Sequence, residues 1–148
     1  MKVTMLLADH AQAADGKLNI IGAGWNVAGP EPSPAAIAIL FEVPWDRANE
    51  RHAFKLELVD ADGYPVLIPT PEGEQALVIE GEFEVGRPPG VKRGTPLSFP
   101  FALNLGPQPI PAGGRYEWRL TVDEESDEDW RLAFTMRPAP TGGFDIGQ

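Results

Sequence analysis

The 148-residue chain has no cysteine, only two histidines (His10 and His52) and only three serines, Ser33, Ser98 and Ser126. Without cysteine there are no disulfides, no thiolate catalysis, no zinc fingers and no iron–sulfur clusters. With so few histidines and serines, the chain forms no G-x-S-x-G elbow and no HExxH pair, and it holds no P-loop. Long apolar runs are also missing. No stretch reaches the ~20 residues of a membrane span, and Asp9 and His10 interrupt the first apolar run too early for a signal-peptide core. Positive charge is scarce: 12 Lys and Arg face 22 Asp and Glu, a formal net charge of −10. Such a surface repels phosphate backbones and anionic lipid, which argues against nucleic-acid and membrane partners. The expected location is the cytoplasm.

What is present fits one globular β domain. Hydrophobic residues make up 43% of the chain, enough for a single core. The 16 Gly and 16 Pro are scattered between apolar runs, as in short strands joined by turns. Period-two alternation recurs, whereas helical periodicity is hard to find. In "RYEWRLTV", Tyr116, Trp118, Leu120 and Val122 share a face; in "WRLAFTMR", Trp130, Leu132, Phe134 and Met136 do. Further alternating faces are Phe54, Leu56 and Leu58; Ile79, Phe83 and Val85; and Leu97 through Leu105. Strands are also expected at Val3 to Ala8, Leu18 to Ala23, Ile37 to Val43 and Tyr64 to Ile68. Pro100 lies inside its run and predicts an edge strand or a bulge. Asp-Gly pairs in "ADGK" and "DADG" predict tight hairpins.

About nine one-faced strands predict an all-β, antiparallel two-sheet sandwich of immunoglobulin-like or related topology, with a closed β-barrel as the alternative. The domain is expected over residues 1–138, with 139–148 as a loose tail. Tyr116 follows the corner "IPAGG" and is the candidate for a tyrosine corner.

Candidate chemistry is sparse. "LNIIGAGWNVAG" offers Gly22 and Gly24 as half of a dinucleotide-binding turn, but Val27 stands at the third glycine position and no helix follows. The glycines are expected to relax a strand beside Trp25. The run "DEESDED", Asp123 to Asp129, reads as a hairpin loop. Its Asp123, Asp127 and Asp129 are candidate calcium ligands, since clustered loop carboxylates suit hard cations. In a sandwich this loop shares an end with "PWDRANER", so Arg47 and Arg51 compete as neutralising partners. "ADHAQAADGK" gathers Asp9, His10, Gln12 and Asp15 and reads as a turn between strands; an enzyme here would use His10 with Asp9 or Asp15. Glu80, Glu82 and Glu84 alternate on one strand and are expected to face basic side chains next door. Among four tryptophans, Trp118 and Trp130 fall on inward faces, while Trp25 and Trp45 sit at strand ends as core lid or contact surface.

The stretch "MLLADHAQAADGKLNIIGAGW", a Pro-rich turn and "AIAILFEVPWDRANERHAFKLELVDADGYPV" together resemble a family of small, mostly actinobacterial proteins known only as a domain of unknown function. Its "PW" motif and "LxLxDxDG" hairpin are matched here. The resemblance implies one intact domain in a bacterial cytoplasm and carries no activity or cofactor. The expected function is a non-enzymatic binding or interaction module with a protein partner or self-association. Its contact candidates are Trp25, Trp45, Arg47 and Arg51. No cofactor is expected apart from the calcium alternative.

Overall fold

The computed structural model describes residues 1–140. The proposed tail reaches beyond them: Ala139 and Pro140 have no regular structure, and residues 141–148 lie outside the described residues. Among the described residues there are twelve strands: β1 (Lys2–Ala8), β2 (His10–Ala14), β3 (Lys17–Ile21), β4 (Val27–Ala28), β5 (Ala35–Val43), β6 (His52–Asp60), β7 (Leu67–Thr70), β8 (Gly73–Ala76), β9 (Val78–Phe83), β10 (Leu97–Leu105), β11 (Arg115–Val122) and β12 (Glu125–Met136). They form a three-stranded sheet, β1-β5-β10, a five-stranded sheet, β4-β12-β11-β6-β9, and two separate hairpins, β2-β3 and β7-β8. Both large sheets are open, so the barrel alternative is replaced by the sandwich.

Register explains the core. In the smaller sheet, Val3, Phe41 and Phe99 lie in one cross-strand row, and Met5, Ile39 and Phe101 in the next. In the larger sheet, Leu132, Trp118 and Leu58 form a row, as do Leu120, Leu56 and Ile79. The alternating residues of both sheets merge in one cluster, where Phe41 and Leu56 are fully enclosed. Phe83 stacks on Phe99 at 4.8 Å across the inter-sheet space. Gly81 breaks the apolar alternation of β9 because the Phe54 ring occupies its place; a Cβ there would come within 2.8 Å of that ring.

Local signals behave as their chemistry demands. Pro100 lies in β10, which among the described residues pairs with β5 alone, and an edge strand tolerates the missing donor. Asp15 and Gly16 both take positive φ, as a two-residue type I′ hairpin requires. Asp60 Oδ1 accepts the backbone N–H groups of Asp62 and Tyr64 and closes the "DADG" turn. Tyr116 Oη donates to the Pro111 carbonyl over 2.6 Å, the geometry of a tyrosine corner. Burial, then the charge of Asp60, raises the Tyr116 phenol above its ordinary value. Glu80 stands opposite Lys55, and Glu82 pairs with Arg51 at 3.7 Å, so the acidic row does face basic neighbours.

Four expectations need correction. "DEESDED" is not a loop: only Asp123 and Glu124 turn, both at positive φ, and β12 begins at Glu125. Asp127 to Trp130 fall in a bulge between the pairs Arg119–Arg131 and Thr121–Ser126, where Asp127 Oδ1 holds the Asp129 N–H. "ADHAQAADGK" is not a connection, because His10–Ala14 is the first arm of hairpin β2-β3. That hairpin lies over the outer face of the smaller sheet, packing Ala11 on Ala36 and Ala38. The Asn104 amide fastens it there through both backbone groups of Ala11. The strand expected to reach Ala23 stops at Ile21, since Gly22 and Gly24 turn the chain at φ 65° and 92°. The strand expected at Tyr64 to Ile68 begins instead at Leu67, as β7, and pairs with the polar β8.

Candidate functional site at two ends of the sandwich

β11 runs from Tyr116, beside Asp60 and Phe134, to Val122, beside Phe54 and Glu125. This direction puts the two groups of candidate residues at opposite ends. Trp45, Arg47, Arg51 and Asp123 cluster at the Val122 end, and Trp25 sits at the Tyr116 end.

At the Val122 end the polar groups are spent on one another. A short 3-10 turn, Trp45–Arg47, carries Arg47 toward the β11–β12 hairpin. Arg47 Nη2 donates to Asp123 Oδ2 over 3.0 Å, and the Ala53 N–H donates to Asp123 Oδ1 over 3.0 Å. His52, fully buried, places Nδ1 2.8 Å from Asp123 Oδ2 and Nε2 3.3 Å from the Arg47 carbonyl oxygen. Burial pushes the Asp123 carboxyl up. The hydrogen bonds from His52 and Ala53, the His52 charge and the Arg47 contact outweigh it and hold the group below the ordinary carboxylate value. Trp45 is half-buried under the Arg87 guanidinium, 4.7 Å from the ring centroid, and Arg87 also binds the Trp45 carbonyl. Arg51 is exposed and turned to Glu82. The arrangement is a clasp joining β6, the β11–β12 turn and the Trp45–Arg47 turn.

The calcium candidates do not converge. Asp123 is taken by the clasp and Asp127 by the bulge, and among the described residues no group of three His, Cys, Asp or Glu is placed to hold a metal ion. His10 lies exposed on β2 opposite Ile21, and Asp15 forms the β2–β3 turn; neither lines a described cavity. Asp9 packs instead against Gly22, where a Cβ would overlap its carboxylate.

At the Tyr116 end, Trp25 follows the glycine turn as the chain returns along β1, with the Gly24 N–H donating to the Leu7 carbonyl over 2.7 Å. The indole is half-buried and meets Phe134 edge-on, at 6.0 Å and 78°. Beneath it a cavity of about 50 Å³ opens between the sheets, walled by Leu7 and Ile37 on one side and Trp118, Phe134 and Met136 on the other. Outside it an open groove of about 820 Å³ runs past Asp9, Gly24, Pro30, Glu31 and Arg137. Trp25 lines both spaces. Its Nε1 is buried and, among the described residues, has no hydrogen-bond partner. Ile21 and Val27, which flank it in sequence, are 65% and 44% exposed.

Two features escaped sequence reasoning. His52 is in phase with Phe54, Leu56 and Leu58, so extending that alternation by two residues places it inside. The unpartnered Trp25 indole has no sequence signal, because it depends on what segments distant in the chain leave open.

The model of a family of unknown function (DUF6941) matches residues 3–135, and the chain belongs to that family. No curated protein matches the sequence. Among solved structures, the chain is similar to the sensor domain of the anti-sigma factor RsgI4 in Pseudobacteroides cellulosolvens, at 11% identity and a TM-score of 0.39, covering 99% of this chain and 100% of that one.

Proposed function

We propose that this member of an uncharacterised family is a non-enzymatic binding module whose recognition surface is the Trp25 end of the sandwich. The observation that carries the reading is the indole itself: a buried donor with no partner among the described residues, on a side chain that lines both an inter-sheet cavity and an open groove. A buried polar group without a hydrogen bond costs roughly 1–3 kcal/mol, a cost that an ordered water or a bound group accepting from it removes. Ile21 and Val27 supply exposed apolar surface on either side. At the other end, Arg47, His52 and Asp123 satisfy one another, and that supports a structural role there.

The topology is taken as immunoglobulin-like. The strand orders β1-β5-β10 and β12-β11-β6-β9, the parallel pairing of β4 with β12 and the Tyr116 corner support this. The cytoplasm remains the proposed location; among the described residues no helix is long and apolar enough to cross a membrane.

The test is affinity capture from an extract of the source cells with three immobilised proteins: the wild type, Ile21→Asp/Val27→Asp and Arg51→Glu. Proteins held by the wild type and by Arg51→Glu, but lost from the double variant, support the reading. Equal retention by all three, or none by the wild type, contradicts it.

A further inference from the structure

We infer that the cavity beneath Trp25 is a receptor site for the short aliphatic end of a small neutral molecule bearing one hydrogen-bond acceptor, such as a ketone. The inference rests on the reading of the Trp25 end as the recognition end and adds the ligand's chemistry.

Size sets the first limit. At about 50 Å³ the cavity exceeds the ~10–15 Å³ that a buried water needs and is smaller than the ~150 Å³ void that takes benzene. A short or branched aliphatic segment fits this space better than an aromatic ring. The walls agree, since Leu7, Ile37, Trp118, Phe134 and Met136 offer dispersion contacts and no charge. Ser33 and Gln108 also line the space, but the Gln108 amide nitrogen already donates to the Gly106 carbonyl.

The indole sets the second limit. Trp25 Nε1 is closed to solvent and, among the described residues, unpartnered; it is a donor only, so a molecule that shifts the indole on entering completes it with an acceptor. Charge sets the third. The groove on the far side of Trp25 carries Asp9 and Glu31 against a single Arg137, whose Nη1 donates to the Gly29 carbonyl. With a formal net charge of −10 on the chain, a carboxylate is disfavoured and a neutral oxygen preferred. Cavity and groove share Trp25, Ala28 and Ser33 in their linings, so an aliphatic end seated in the cavity would leave the rest of a longer molecule on the groove side of Trp25.

The experiment follows the four indole N–H resonances of the ¹⁵N-labelled full chain, with Trp25 assigned by loss of its peak in Trp25→Phe. The probes are 2-butanone, its hydrocarbon counterpart 2-methyl-1-butene, and butyrate. The expected result is a saturable shift of the Trp25 peak with the ketone. The hydrocarbon and butyrate should bind at least about tenfold more weakly, the factor one satisfied buried donor makes. Ala28→Leu, which adds volume at the cavity wall, should abolish the shift while the remaining indole peaks keep their positions. No saturable ketone shift, equal affinity for ketone and hydrocarbon, or ketone binding undiminished in Ala28→Leu would overturn the inference. If the ketone fails while protein capture still depends on Ile21 and Val27, only the ligand assignment falls. If both fail, the Trp25 end is not a recognition surface.

Discussion

Replacing Asp123 should unfasten the clasp, and the structure gives both the size and the pH dependence of the loss. The carboxylate accepts from Arg47, His52 and the Ala53 N–H at 3.0, 2.8 and 3.0 Å. Arg47 is partly exposed and regains water when released, so its share is small. His52 is fully buried and cannot; leaving its Nδ1 unpaired costs about 1–3 kcal/mol. Asp123 also sits at φ 52°, where Asp and Asn are tolerated and Ala is strained by about 1 kcal/mol. Asp123→Ala is therefore expected to cost about 2–4 kcal/mol, and Asp123→Asn, which keeps the turn and one acceptor, about 1–2 kcal/mol. The assay is urea unfolding followed by tryptophan fluorescence, with slopes compared to confirm that the midpoints report stability. Because folding lowers the carboxyl's pKa, its contribution is fully present above the ordinary value of 3.8 and disappears as pH falls through the lower folded value. The gap between wild type and Asp123→Asn should thus hold from pH 7 to about pH 5 and close only below about pH 4. A cost under ~0.5 kcal/mol for Asp123→Ala, within the range of an ordinary surface change, would refute the clasp, as would a gap that persists unchanged to pH 2.

Three further outcomes are expected. Tyr116→Phe removes the bond to the Pro111 carbonyl and should cost about 0.5–1.5 kcal/mol in the same assay, with the fold intact by circular dichroism. Glu124 lies at φ 66° in the β11–β12 turn, so Glu124→Gly should raise the urea midpoint by relieving about 1 kcal/mol of strain; a lowered midpoint would mean the turn is built otherwise. Saturating calcium should leave the thermal midpoint unchanged, because Asp123 and Asp127 are committed to protein contacts; a rise of several degrees would show a site these contacts do not block.

The sandwich was legible because burying one face of a strand writes period two into the sequence. Tyr116 to Val122 and Trp130 to Met136 fall inward as that period requires. Elements whose burial involves small or polar residues leave no such trace. β2, "HAQAA", packs on its neighbour through alanine, and "GEQA" of β8 exposes all four residues. The acidic run was misread because charge density says loop, while the register of β12 against β11 is set by apolar residues outside the run, Leu132 opposite Trp118 and Phe134 opposite Tyr116. The approach of Arg47 to Asp123 was legible, since a sandwich brings those two connections to one end. His52 between them was not, because a lone histidine names no partner. Gly22 and Gly24 read from the sequence as relaxing a strand beside Trp25; their left-handed conformations emerge only when β1 and the β2-β3 hairpin constrain the return of the chain to Trp25.

The most direct measurement for the central claim, that the Trp25 end keeps an apolar receptor space open, is a crystal structure under xenon pressure. Xenon occupies dry apolar cavities of sufficient size. The account expects a xenon peak among Ile37, Trp118, Phe134 and Met136, with no protein atom or water bonded to Trp25 Nε1. A collapsed, xenon-free space, or an ordered water donating nothing to the walls and fixed on that nitrogen, would contradict it.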